Sequence, residues 1–390
     1  MKLKLFPSLY SLFFVFLSCS LYAADFKISG FGTAGAIITD SKTAYYDGNV
    51  NAQVNYNYLS KFGVNFRSNL SEKWFIAAQI LAKNWADDAG KNFAVRLDYV
   101  LAGYKPINEI TIKIGRQKLP VWLISDHYDI GIAYPWTRPP VEVYNLGLIN
   151  NIQGASMSFD KYFGSMGLHI EGLFGEAQFE GPGQLGNFGF IKGIKRDLVS
   201  FNVRTDFDWG LIRASYTQSD HINFEISTSD PAALNPTYSL LARITNGKYK
   251  FVNIGDKINF LKHAFIYSEY AHLNCITDNV TVRRDNSAYV TIGYSIDDDF
   301  ITPHFTYALW VSDVFILPFP YRAKQYSLTL GLNFKTTDYS MLKFDISHII
   351  IPPAASYNGS NPPSSLAIGT FSSRPGNNAT VAAASFDFMF

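Results

Sequence analysis

Cysteine is scarce in this chain: two in 390 residues, Cys19 and Cys275. Cys19 falls inside an amino-terminal export segment, so the exported chain keeps a single thiol and a disulfide scaffold is excluded. An excess of either charge is missing as well: 33 Lys plus Arg stand against 32 Asp plus Glu. A nucleic-acid-binding protein would show a basic face, so no nucleic-acid partner is expected. After Leu17 no apolar run approaches the ~20 residues that a membrane-spanning helix needs. The seven histidines (His127, His169, His221, His263, His272, His304 and His348) show no metal-ligand spacing. There is also no G-x-S-x-G nucleophile elbow. The chain is therefore expected to be non-enzymatic, with neither cofactor nor metal.

The amino terminus carries an address. Lys2 and Lys4 precede the apolar run Leu9 to Leu17, and Ala23 and Ala24 follow. This is the pattern of a secretory signal peptide, too short to span a membrane. The cut is expected after Ala23 or Ala24, giving a signal over 1–24 and one mature domain over 25–390. A lipoprotein cut at Cys19 has only a poor lipobox before it. Taking Lys2 and Lys4 from the 33 basic residues leaves 31 against 32 acidic ones.

Aromatic residues are abundant at 16%, with 32 Phe and 24 Tyr, while mean hydropathy is close to zero. An exported, aromatic-rich chain without spanning helices points to an outer-membrane β-barrel, with a soluble β-sandwich as the competing class. The two are separated by runs of about ten residues that alternate apolar and polar between turns. Such runs recur throughout. Phe62, Val64 and Phe66 alternate with Lys61, Asn65 and Arg67. Trp74, Ile76, Ala78 and Ile80 stand opposite Gln79 and Lys83. Phe93, Val95, Leu97 and Tyr99 stand opposite Arg96 and Asp98. Val199, Phe201 and Val203 alternate with Ser200, Asn202 and Arg204, and Ile212, Ala214 and Tyr216 with Arg213 and Ser215. Longer polar stretches at 177–195, 218–246, 275–286, 311–322 and 351–378 read as loops. The pattern predicts sixteen strands, seven short turns and eight longer loops, with fourteen or eighteen strands as alternatives. An even number closes an up-and-down barrel with both termini on one side. A sandwich rarely needs so many ten-residue strands.

One stretch breaks the pattern. The strand Ile110 to Arg116 runs into about thirty residues without usable periodicity, 117–149. This stretch holds Pro120, Pro135, Pro139 and Pro140 of the 17 prolines, and Trp122 and Trp136 of the 6 tryptophans. Long loops in compact domains are functional or disordered, and a stretch this rich in aromatic residues is not disordered. An ordered loop packed against something is expected.

The carboxy-terminal residues Ser385, Phe386, Asp387, Phe388, Met389 and Phe390 resemble the end signature of outer-membrane β-barrel proteins. The mature start, Phe26 to Gly35, is similar to the first strand of Gram-negative porins. The resemblance covers essentially the whole mature chain as architecture. It implies residence in the outer membrane of a Gram-negative bacterium, contact with outer-membrane lipid, recognition by the barrel assembly machinery and a homotrimer. It also implies that the third outer loop, here 117–149, folds inward and narrows a channel for passive diffusion of small hydrophilic solutes and ions. This loop departs from that of the well-studied general porins in its Pro, Trp and aromatic content, which leaves the solute open.

A dinucleotide fingerprint is spelled by Gly30-x-Gly32-x-x-Gly35, but no helix and no βαβ unit follow, so these glycines read as strand residues. For a passive pore, selectivity comes from width and lining charge. The expected wall bases are Arg67, Arg96, Lys113, Arg116, Arg204 and Arg213. The loop offers Lys118, Asp126, Asp129, Arg138 and Glu142 at the constriction. Either a transverse field or ion pairs that hold the loop would use these charges. Trp122, Tyr134 and Trp136 would either pack the loop against the wall or stack a solute. A slight excess of bases suggests a mild anion preference. The competing function is a closed outer-membrane barrel acting as a surface adhesin or a membrane-embedded enzyme.

Overall fold

The computed structural model describes residues 25–41, 50–85, 93–146, 150–182, 190–227, 243–277, 280–297, 299–315, 320–353, 355–356 and 378–390. The expected signal over 1–24 lies outside the described residues, as do Asp298 and parts of several predicted loops.

Among the described residues, sixteen long strands and one stub form a single antiparallel sheet: β1 (Asp25–Thr39), β2 (Lys61–Asn69), β3 (Trp74–Asn84), β4 (Phe93–Ile107), β5 (Ile110–Lys118), β6 (Asn151–Phe163), β7 (Met166–Pro182), β8 (Phe190–Phe207), β9 (Gly210–Ser227), β10 (Arg243–Phe260), β11 (Ala264–Thr277), β12 (Val280–Tyr294), β13 (Ile301–Val314), β14 (Tyr321–Thr337), β15 (Ser340–Ile350), the two-residue stub β16 (Ala355–Ser356) and β17 (Ala379–Met389). Each long strand pairs with its neighbour in sequence, and β17 pairs with β1 from Phe31↔Met389 to Thr39↔Val381. Closure leaves the sheet without an open edge, which is what a β-structure surrounded by lipid requires.

The burial pattern is inverted relative to a soluble protein. Val95, Ile114, Ile254, Leu330 and Ile346 are exposed on the outer face. Ser200, Asn202, Thr217, Asn253, Gln325 and Lys343 are buried inside. Apolar side chains therefore face outward and polar ones fill the lumen, as a lipid-embedded barrel demands and a sandwich does not. The terminal aromatics close the seam. Phe386 and Phe388 stack on this outer face, and Phe390 stacks on Phe62. Gly30 exchanges backbone hydrogen bonds with Phe390 at 2.8 and 2.9 Å. The rings of Phe390 and Phe388 occupy the space where side chains at Gly30 and Gly32 would lie, so these glycines serve ring packing in a strand.

Three sequence expectations need correction. The described residues of 177–195, 218–246, 275–286 and 311–322 are mostly strand: β7 reaches Pro182, β8 starts at Phe190, β9 runs to Ser227 and β10 starts at Arg243. Arg283, Arg284 and Asp285 belong to β12. Beyond the lipid band a strand no longer needs an apolar face, so pairing continues after the alternation has stopped. Arg322 on β14 and Asp313 on β13 hold such an extension with an ion pair at 2.6 Å. Second, Tyr99 faces the lumen. The register against β3 jumps from Gln79↔Tyr99 to Ile80↔Leu97; this bulge at Asp98 flips the phase. The Tyr99 hydroxyl then donates to Asn65 Oδ1 at 3.3 Å. Third, β5 extends through Lys118, so the loop leaves the wall two residues later than predicted.

Gly115, Gly154 and Gly175 stand side by side across β5, β6 and β7. Gly115 has φ +135°, and a side chain at Gly154 would run into the Phe174 carbonyl and the Gly175 backbone. Such a glycine row lets a barrel wall turn a corner. Gly154→Val is expected to destabilise the barrel by about 1–3 kcal/mol, as overpacking does. Gly172→Val, with nothing within 4 Å of the added carbon, should leave the unfolding midpoint in detergent unchanged. Equal midpoints for both variants would refute the corner.

Candidate functional site

Residues 119–146 leave the wall at the loop end of β5 and enter the lumen. The segment has more local structure than its sequence pattern suggests. It contains 3-10 turns at Ser125–His127 and Gly131–Ala133, and a single turn of helix, α1 (Val141–Tyr144), entered from Pro140. Proline pre-sets φ at such a helix start.

Apolar packing fixes one side of the segment. Trp122, Tyr134, Trp136 and Tyr144 are buried with Tyr249, Phe251, Tyr267 and Tyr289 of β10 to β12. The Trp136 ring meets Tyr267 and Tyr289 edge-on at centroid distances of 5.2 and 5.4 Å, an arrangement favoured by aromatic quadrupoles. Its indole N–H donates to the hydroxyls of Thr291 and Thr306, both at 3.0 Å. These rings pack the loop against the wall, as one of the two sequence readings expected.

Buried polar groups fix the rest. Lys343 of β15 donates to the carbonyls of Gly131, Tyr134 and Trp136 at 2.5, 2.7 and 3.0 Å, and pairs with Asp387 at 3.1 Å. Asp345 accepts from the backbone and the hydroxyl of Thr137, each at 2.7 Å. Glu269 accepts from the Leu123 N–H, the Tyr144 and Tyr289 hydroxyls and the Asn253 amide. Asn333 donates to the Pro135 carbonyl and Ser215 to the Val121 carbonyl. A lumen packed this way satisfies backbone groups that no sheet pairs.

The eleven charged residues singled out from sequence divide by partner. Asp126 pairs with Arg213 at 2.9 Å and Arg204 at 3.7 Å. Asp129 pairs with Lys83 at 2.8 Å and Lys118 at 2.9 Å, and Lys118 also reaches Asp98 at 2.6 Å. Lys113 pairs with Glu171 at 2.6 Å. Glu142 is buried and accepts from the Gln325 amide at 2.7 Å. Arg138 lies over the Tyr58 ring and donates to Asn145, and Arg96 lies over Trp85. Arg67 lies over Phe75, and Arg116 donates to the Asp98 carbonyl. Neither Arg67 nor Arg116 has a carboxylate partner among the described residues.

The loop acids differ in kind. Burial opposes ionisation of Asp129, but Lys118 and Lys83 outweigh it and hold its carboxyl far below the usual range. Asp126 shows the same balance, with Arg213 as the largest opposing influence. Glu142 is the reverse: burial pushes its carboxyl up, and the Gln325 hydrogen bond only partly offsets this.

The two flanks of the loop are unlike. Toward β15 and β17, Lys343 and Asp387 are 0% and 1% exposed. Toward β5 to β9, Asp126 is 48%, Arg204 36% and Lys113 25% exposed. Arg213, 2% exposed, and Ser215 of β9 also bond the loop at Leu123 and Val121, so the loop is anchored on both sides but leaves partly exposed charge toward β5 to β9.

Lys343, Asp345, Glu269 and Asp387 were not picked out by sequence reasoning. Strand alternation puts them on the lumen face, yet the loop partners of Lys343, Asp345 and Glu269 lie more than a hundred residues away, Asp387 acts through Lys343, and no local signal marks such pairs.

No protein-family model matches the chain, and neither does any curated protein. Solved structures do. The chain is similar to OmpT in trimer form, an outer membrane protein of Vibrio cholerae, at 10% identity and TM-score 0.58, covering 94% of this chain and 100% of that one. It is similar to an anion-selective porin from Comamonas acidovorans at 13% identity and TM-score 0.55, covering 94% and 100%. It is also similar to the outer membrane channel DcaP of Acinetobacter baumannii at 10% identity and TM-score 0.54, covering 95% and 99%. At these identities the likeness is one of fold: a closed sixteen-strand outer-membrane β-barrel.

Proposed function

We propose that this barrel is an outer-membrane diffusion channel for small hydrophilic solutes and ions, with 119–146 as its constriction and a mild preference for anions. It works without chemistry, and so as no enzyme. The observation that carries the reading is the asymmetry of the loop. A segment held by fully buried anchors on one flank, with partly exposed Asp126, Arg204 and Lys113 beside its β9 anchors on the other, leaves a charged passage along β5 to β9. Charges lining a narrow opening with a low-dielectric wall set which ions enter. Arg67 and Arg116 add positive charge without carboxylate partners among the described residues, which favours anions. The neighbours described as an anion-selective porin and an outer membrane channel support this reading, and the trimer form of OmpT supports assembly as a homotrimer.

Single-channel recording in a planar bilayer under a salt gradient tests it. Stepwise ohmic openings with a reversal potential of anionic sign are expected. Absence of conductance at any voltage would overturn the channel and leave a closed barrel serving adhesion or catalysis. Asp126→Asn removes one negative charge and takes the carboxylate from Arg213, while Arg204 keeps Asp206 at 3.0 Å, so the reversal potential is expected to move further toward anions. No movement would place the passage elsewhere.

A further inference from the structure

Between Trp136–Glu142 and the inner faces of β1, β13, β14, β15 and β17 lies a cavity of about 50 Å³. It is roomier than the ~10–15 Å³ that one water needs, and it opens in part to solvent. Seven side chains bring oxygen to it: Thr137, Glu142, Thr306, Ser327, Thr329, Asp345 and Ser347. Glu142 is 2% exposed. Its Oε1 accepts from Gln325, while Oε2 has no hydrogen-bond partner. Asp345 spends Oδ2 on Thr137; its Oδ1 makes no hydrogen bond and lies 3.4 Å from His304 Nε2. A buried carboxylate oxygen left without a partner is costly. Both carboxylates line a space that can hold the group that would satisfy them.

We propose that this cavity binds one dehydrated monovalent cation of the sodium or potassium class, held by Glu142 and Asp345 with the surrounding hydroxyls. The charge balance selects the valence. Glu142, Asp345 and the adjacent Asp387, set against Arg138 of the lining and Lys343, which faces both aspartates, leave about one negative charge. The remaining donors are neutral hydroxyls, whereas calcium sites gather several carboxylates. The bound ion ties α1 to β14 and β15 and makes anchoring of the loop depend on the kind of salt present. The site stands whether or not the barrel conducts.

Rubidium is the probe. Crystals of the full barrel in rubidium chloride are expected to show one anomalous-scattering peak at Glu142, lost in Glu142→Gln and weakened in Ser327→Ala. In detergent, the wild-type thermal midpoint should be higher by a few degrees in rubidium chloride than in tetraethylammonium chloride at equal ionic strength, since a ligand bound only by the native state stabilises it. Glu142→Gln should show no such difference. If that variant fails to fold, a reduced salt difference in Ser327→Ala serves in its place. Water alone in the wild-type cavity, with equal midpoints in the two salts, would overturn the proposal.

Discussion

Lys343→Met is expected to lower the unfolding free energy of the barrel by about 3–5 kcal/mol, the usual cost of removing one partner of a buried ion pair. The ammonium is 0% exposed and serves four acceptors at once: three loop carbonyls and Asp387. Methionine has similar length and no donor, so packing is largely kept. The three carbonyls would lose their donor, and Asp387 would retain only Thr33 and Ser385. The tip Gly131 to Trp136 would then be held by its rings, the Trp136 indole N–H and the Asn333 amide on the Pro135 carbonyl. Denaturant unfolding in detergent measures the first effect. Protease cleavage within 119–146 and noisier, larger single-channel currents measure the second. A variant with wild-type stability and an uncut loop would show that Lys343 does not hold the segment.

Trp136→Ala is expected to cost about 3–5 kcal/mol, the range for deleting a buried large aromatic side chain. Trp136 is 1% exposed and sits among Tyr134, Tyr267 and Tyr289. The two threonines it bonds are also bonded to each other at 2.7 Å. They are therefore not orphaned by its loss, and the cost is mainly that of a cavity. Trp74, half exposed on the outer face, supplies the comparison: Trp74→Ala should cost much less. Because Trp136 and Lys343 hold the same short segment, the double variant should lose less than the two single losses added together, by more than ~0.5 kcal/mol. Strict additivity would mean that ring packing and carbonyl capture act on separate parts of the loop.

The sequence by itself determined the barrel. Alternation at period two, in runs such as Phe62 to Arg67 and Val199 to Arg204, is a local property, because neighbouring side chains in a strand must point to opposite faces. Lipid on one side and a polar lumen on the other turn that local property into a global one, so strand number, closure and the polarity of each face could be read directly. The loop was legible as ordered because its rings and prolines have no place in a disordered tail. Tertiary structure alone decided what the loop does inside. Bulges such as that at Asp98 depend on the partner strand, and so the face of Tyr99 could not be read from alternation. The ladders beyond the lipid band persist through cross-strand pairs such as Arg322 with Asp313, which leave no periodic trace. Most of all, the partners of the loop come from strands as far as 212 residues away: Lys343 for its carbonyls, Asp345 for Thr137, Arg213 for Asp126. Sequence places each of these on the lumen face but carries no record of which residue it meets. That is fixed only when closure of the sheet brings β15 and β9 to opposite sides of one segment.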